Sequence, residues 1–98
     1  MGAEQQEKLM RDQASLLAMM ANPARLTILR LLLEEERSVG QLATQVGLSE
    51  NATSMHLAKL RRGRVVTTKR KAQNIFYAAK SINVVVILNA LDAISHNF

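Results

Sequence analysis

SVGQLATQVGLSENATSMHLAKL, residues 38–60, divides into two short amphipathic helices around a single glycine. Ser38 followed by Gln41 fits a capping box, in which each side chain satisfies the other's free backbone N–H. Leu42, Ala43 and Val46 then share one helical face. Gly47 suits a left-handed stop, and Leu48 is expected to pack in the turn. Ser49 caps the next helix, and Glu50 in its first turn suits the positive end of the helix dipole. Thr53, Leu57 and Leu60, spaced four and three apart, point inward. Glu50, Asn51, Ser54, Met55, Ala58 and Arg62 point outward, and Gly63 ends the helix after Arg62.

From Val65 the period changes to two. Residues 65–69 and 74–78 read as strands, with Arg70-Lys71-Ala72-Gln73 as the tip of a hairpin. Residues 59–80 hold eight of the chain's 13 basic residues and none of its eight acidic ones. Such a one-signed stretch is an electrostatic footprint for a polyanion, whereas a merely soluble surface mixes signs. Helix, turn, helix and basic wing in that order point to double-stranded DNA. In this arrangement the first residues of the second helix reach base edges in the major groove. Asn51, Ser54 and Met55 are the candidate readers: Asn pairs bidentately with adenine, Ser is permissive, and Met meets a thymine methyl group. Ser49, Lys59, Arg61, Arg62 and Arg64 are placed for phosphates, which position without reading. Lys69, Arg70, Lys71 and Gln73 would lay the wing on the backbone or adjacent minor groove. Two short helices around a glycine also occur in bundles that bind no DNA. A winged-helix protein-interaction module is therefore the alternative reading.

The flanking segments are helical. Residues 4–20 carry Leu9, Ala14, Leu16, Leu17, Ala18 and Met20 at helical spacing. Asn22-Pro23 opens a second helix to about Glu35, with Leu26, Leu29, Leu32 and Leu33 inward and Arg25 and Arg30 on its other side. Ser81 caps a last helix, 82–95, whose start from Ile82 to Leu88 is apolar nearly all round. Such a helix must be covered on more than one side, and in so small a domain a second subunit is the expected cover. Leu9, Leu16, Leu17, Val84, Ile87, Leu88 and Leu91 are the expected dimer contacts.

Ninety-eight residues make one domain, 1–98, mainly helical with a small β-hairpin. Only Phe76, Tyr77 and Phe98 are aromatic, which argues against single-strand binding on stacking platforms. With no cysteine, thiolate metal sites and thiol redox sensing are excluded within this chain. No window reaches the length of a membrane span, no charged-then-apolar leader is seen, and Gln6 breaks the acylation pattern that Met1-Gly2 begins. A cytoplasmic protein without cofactor is expected. His56 reads as a half-buried residue beside Leu57 rather than a ligand. Asp92 and His96, four apart, read as a surface pair, with a site completed across a dimer as the other reading. No paired carboxylates flank a histidine and no glycine-rich phosphate loop exists, so an enzyme is not expected.

Several blocks in order resemble one family. Ala21-Asn22-Pro23-Ala24-Arg25-Leu26-Thr27-Ile28-Leu29, Ser38-Val39-Gly40-Gln41-Leu42, Gly47-Leu48-Ser49, Ser54-Met55-His56-Leu57-Ala58-Lys59-Leu60-Arg61 and Ala72-Gln73-Asn74-Ile75-Phe76-Tyr77 are similar to segments of ArsR/SmtB-type winged helix-turn-helix regulators. The likeness covers about residues 14–95 and is nearest the metal-independent, NolR/HlyU-like branch. It implies a homodimeric repressor, packed through first and last helices, on a pseudo-palindromic operator. Metal-sensing members carry cysteine where this chain has Ser38, Val39 and Gly40. Others use a carboxylate and histidines on the last helix, where this chain has Lys80, Ile82, Ala93 and His96, so metal is not expected. At the helix-to-wing turn the family's glycine is replaced by Arg64.

Overall fold

The computed structural model describes residues 2–98. In chain order the elements are α1 (Ala3–Met20), α2 (Pro23–Glu34), β1 (Arg37–Ser38), α3 (Val39–Val46), α4 (Glu50–Arg62), β2 (Thr67–Lys71), β3 (Asn74–Ala78) and α5 (Ile82–Ile94), then a 3₁₀ turn over Ser95–Asn97.

Each of the helices α2 to α5 starts at the expected polar cap. Asn22 Oδ1 accepts from the backbone N–H groups of Ala24 and Arg25 at 2.9 and 3.2 Å. Ser38 Oγ accepts from Gln41 N at 3.2 Å while Gln41 Oε1 accepts from Ser38 N at 2.9 Å, closing the capping box. Ser49 Oγ accepts from Ala52 N, and Ser81 Oγ from Val84 N. Each satisfies a donor that the first helical turn leaves free, worth about 1 kcal/mol apiece. Gly47 ends α3 with φ of 71°, and Leu48 N follows it back to Ala43 O.

The sheet is antiparallel in the order β1-β3-β2. Its two-residue strand β1, pairing Arg37 with Tyr77 and Ser38 with Phe76, has no periodic signal and adds to the expected hairpin. The hairpin also differs from expectation. Its turn is Ala72-Gln73 alone, while Arg70 and Lys71 belong to β2, opposite Ile75 and Asn74. Val65 and Val66 precede the strand and are buried in the core. They carry the chain from α4 to the sheet rather than forming its edge.

One apolar cluster joins the ends of the elements: Met19 and Met20 of α1, Ile28, Leu29 and Leu32 of α2, Leu42 of α3, Leu57 and Leu60 of α4, Val65, Val66, Ala79, and Val84 and Leu88 of α5. The inward face of α2 is rotated from expectation. Ile28 is buried, Leu26 and Leu33 are half-buried, and Arg25 is buried rather than outward. Leu48 lies outside this cluster and is only partly covered, at 38% exposure. Truncating a fully buried leucine such as Leu57 to alanine costs about 2–5 kcal/mol, so this cluster fixes the angle of α4.

Candidate nucleic-acid interface

The α4 helix divides as its spacing requires. Thr53, Leu57 and Leu60 have no solvent exposure, and Thr53 Oγ1 donates to Ser49 O at 2.8 Å. On the opposite face Asn51, Ser54, Met55, Ala58 and Arg62 are exposed. The candidate readers thus occupy the solvent side of a helix whose other side is locked. Ser49 is engaged as the cap, which leaves its hydroxyl proton available to a phosphate oxygen. Lys59, Arg61 and Arg62 sit in the last turn, where the helix dipole favours cations.

The exit from α4 is a Schellman turn built on arginine. Val65 N donates to Leu60 O at 3.2 Å and Arg64 N to Arg61 O at 3.0 Å. The left-handed residue is Arg64, with φ of 62°. Gly63 keeps a right-handed conformation and serves a different need: a Cβ there would fall on the buried Met19 sulfur. The glycine lets α1 approach, and the guanidinium of exposed Arg64 is held beyond the helix end.

Three of the four wing candidates separate by face, and Gln73 lies in the turn. Residues opposite one another share a face and alternate along each strand. Thr68, Arg70, Ile75 and Tyr77 therefore lie on one side, and Lys69, Lys71, Asn74 and Phe76 on the other. Tyr77 lines a groove with Ser54, Leu57, Ala58, Arg61 and Arg62, so the Arg70 side is the one that faces α4. Among the described residues Lys69, Arg70 and Gln73 have no side-chain hydrogen bond or ion pair, whereas Lys71 Nζ lies 3.0 Å from Glu36 Oε1. Lys71 also sits over the Phe76 ring, 5.4 Å from its centroid. The hydrogen bond from Lys71, aided by the charges of Lys69 and Lys80, holds the Glu36 carboxyl below its usual range.

Behind α4, Arg25 makes the connection that burial demands. Its Nε donates to Met19 O at 2.5 Å, Nη2 to Ala18 O at 3.4 Å, and Nη1 lies 3.3 Å from His56 Nδ1. A guanidinium only donates, so in this contact His56 Nδ1 is the acceptor. His56 is half-buried, as expected, and faces away from the reading surface.

The expected Asp92–His96 pair does not form. Asp92 takes both terminal nitrogens of Arg30, at 2.9 and 3.1 Å, and His96 falls in the 3₁₀ turn beyond α5. No cluster of three or more His, Cys, Asp or Glu side chains is found among the described residues.

The expected dimer set is redistributed. Val84 and Leu88 are buried within this chain's own core. Leu16, Ile87 and Leu91 are half-buried against that core. Leu9 and Leu17 are exposed, together with Met10 on α1 and Ile82, Val86 and Ile94 on α5. Spacing alone does not single these out, because α5 is apolar on every side and the core could take any face of it. Glu36 and the contacts of Arg25 escape sequence reasoning because both act through partners on other elements.

Residues 22–68 match the family described as "Bacterial regulatory protein, arsR family". The chain is 52% identical over 81 residues to the nodulation protein NolR of Rhizobium meliloti, covering 83% of this chain and 66%, just under two thirds, of that protein. It is 42% identical over 91 residues to the transcriptional activator HlyU of Vibrio cholerae, covering 93% of this chain and 84% of that protein. Its fold superposes on the crystal structure of NolR from Sinorhizobium fredii with a TM-score of 0.88 at 47% identity, covering 96% and 93% of the two chains. It also superposes on a homodimeric winged helix-turn-helix DNA-binding domain from Mycobacterium bovis with a TM-score of 0.84 at 25% identity, covering 97% and 88%. HlyU is named a transcriptional activator, and a further relative from Xylella fastidiosa, 35% identical over 91 residues, is named a biofilm growth-associated repressor. With this architecture and these relatives, the chain belongs to the ArsR family of bacterial transcriptional regulators.

Proposed function

We propose that this chain is a dimeric, sequence-specific repressor of transcription that binds a pseudo-palindromic operator in double-stranded DNA. The α4 helix enters the major groove. Asn51, Ser54 and Met55 read base edges, while Ser49, Lys59, Arg61, Arg62 and Arg64 hold phosphates. Lys69, Arg70 and Gln73 lay the wing along the backbone, with Lys71 held partly in reserve by Glu36. The protein works in the cytoplasm, in contact with the chromosome, and uses neither a thiol nor a metal for sensing. A dimer forms through the exposed apolar residues of α1 and α5, chiefly Leu9, Met10, Leu17, Ile82, Val86 and Ile94. The homodimeric relative from Mycobacterium bovis supports that assembly.

The observation that carries this reading is the division of α4. Asn51, Ser54 and Met55 stand outward over a buried face, beside the basic side chains of residues 59–80. The test is fluorescence-anisotropy titration of a duplex from upstream of the protein's own gene against a scrambled duplex. A preference of about 10³-fold or more is the expected result. Equal binding to both would reduce the surface to a basic patch, and no binding would favour a protein-interaction module.

A further inference from the structure

From the placement of its sulfur atoms, we infer that Met55 is an oxidation switch on the DNA-reading face, an inference that rests on the proposed function. The chain has five methionines and no cysteine, so thioethers are its only sulfur. Met55 is 74% exposed, against 54% for Met10, 8% for Met19 and 3% for Met20. Met10 lies on the apolar face assigned to the dimer, and Met19 and Met20 are core residues. Met55 alone among the described methionines combines high exposure with a position on the reading face, one turn beyond Asn51 and next to Ser54.

The chemistry needs a hydroperoxide, and susceptibility follows access to the sulfur. The sulfur lone pair bonds to the terminal oxygen of the hydroperoxide, the O–O bond breaks, and water or an alcohol leaves with the proton. Sulfur is oxidised by two electrons, and the peroxide is reduced by two. An apolar, flexible thioether becomes a polar sulfoxide whose oxygen only accepts hydrogen bonds. Such a group no longer suits a thymine methyl and carries negative density toward the acceptor-rich edges of the groove. The buried side of α4 is unchanged, so the fold persists while reading fails. Bound DNA covers Met55, which makes the free protein the sensitive state. Methionine sulfoxide reductases reverse the change.

The experiment treats the full chain with hydrogen peroxide and follows each methionine by peptide mass spectrometry. Anisotropy on a duplex the untreated protein prefers gives the matching affinity. Met55 sulfoxide should form before that of Met19 or Met20, and more slowly when the duplex is present. Affinity should fall about tenfold, the loss of one good base contact, and recover with reductase. In M55L, peroxide should not change the affinity from that variant's own untreated value. Oxidation of Met19 or Met20 as early as Met55 overturns the inference. So does full Met55 oxidation with unchanged binding, or an equal peroxide effect in M55L. If the untreated protein prefers no duplex, the regulator reading fails first, before any oxidant is added, and the switch fails with it.

Discussion

The Arg25 guanidinium joins the last carbonyl groups of α1 to His56 on the recognition helix, donating to Met19 O and meeting His56 Nδ1 at 3.3 Å. One side chain of α2 thereby ties the end of a proposed dimerisation helix to the helix proposed to read DNA. The link is buried, so its loss leaves carbonyl groups without a donor. R25A should destabilise the fold by about 2–3 kcal/mol in chemical denaturation. R25A and H56A combined should fall short of the sum of the two single effects by about 0.5–1.5 kcal/mol, as contacting residues do. Simple additivity would mean that the contact carries no coupling.

The turn after α4 makes a paired prediction. Arg64 holds a left-handed conformation that a side chain disfavours by about 1–2 kcal/mol. R64G should raise stability by about 1 kcal/mol while weakening DNA binding at low salt. G63A should do the reverse to stability, losing about 1–3 kcal/mol, because its new methyl meets Met19. Thermal melts and a salt titration separate the two effects. Equal stability changes at both positions would contradict the assignment of the left-handed residue.

Glu36 pairs with Lys71 at 3.0 Å, and on the proposed reading of the wing it restrains one cation that would otherwise meet DNA. Its carboxyl is held below the usual range, chiefly by Lys71, so it is charged at neutral pH and keeps Lys71. A depressed folded-state value means that its contribution to stability is present above the unfolded value and lost as pH falls through the folded one. E36Q should remove that part of the acid dependence in pH-dependent denaturation. It should also steepen the dependence of log K on log salt by about one phosphate contact. In the parent chain R70A should flatten this slope more than K71A does. A K71A effect equal to that of R70A would show that Glu36 restrains nothing.

The apolar faces predict where a charge separates subunits without unfolding them. Val86 is 59% exposed and Val84 fully buried on the same helix. V86D should yield a folded monomer by sedimentation and circular dichroism, whose melting temperature is lowered by the lost association and no longer rises with protein concentration. V84D should unfold the chain. A V86D protein that remains dimeric would move the interface off this face.

Most of the fold is legible in the sequence because its boundaries are local. Asn22, Ser38, Ser49 and Ser81 cap the helices they are expected to cap, and Gly47 takes the left-handed turn. The buried side of α4 follows from spacing alone. What escapes has a common physical cause. Strand β1 exists only by pairing with β3, and Arg25 is drawn inward by carbonyl groups of a different helix. Lys71 is withdrawn by Glu36, and the free face of α5 is decided by which side the core takes. Each is decided by a partner on another element, which periodicity does not encode. Within the candidate site, the exposed face of α4 is legible, and the difference between Arg70 and Lys71 is not.

Selection from a pool of random duplexes by the full chain tests the central claim most directly, since it presupposes no operator sequence. The account predicts enrichment of one pseudo-palindrome whose half-sites lie about one helical turn apart, or a multiple of it, centre to centre. N51A should then lose about 1–3 kcal/mol of discrimination at one symmetric pair of positions. A pool that remains random after repeated rounds, or one that enriches a single unpaired half-site, would contradict a dimeric sequence-specific regulator.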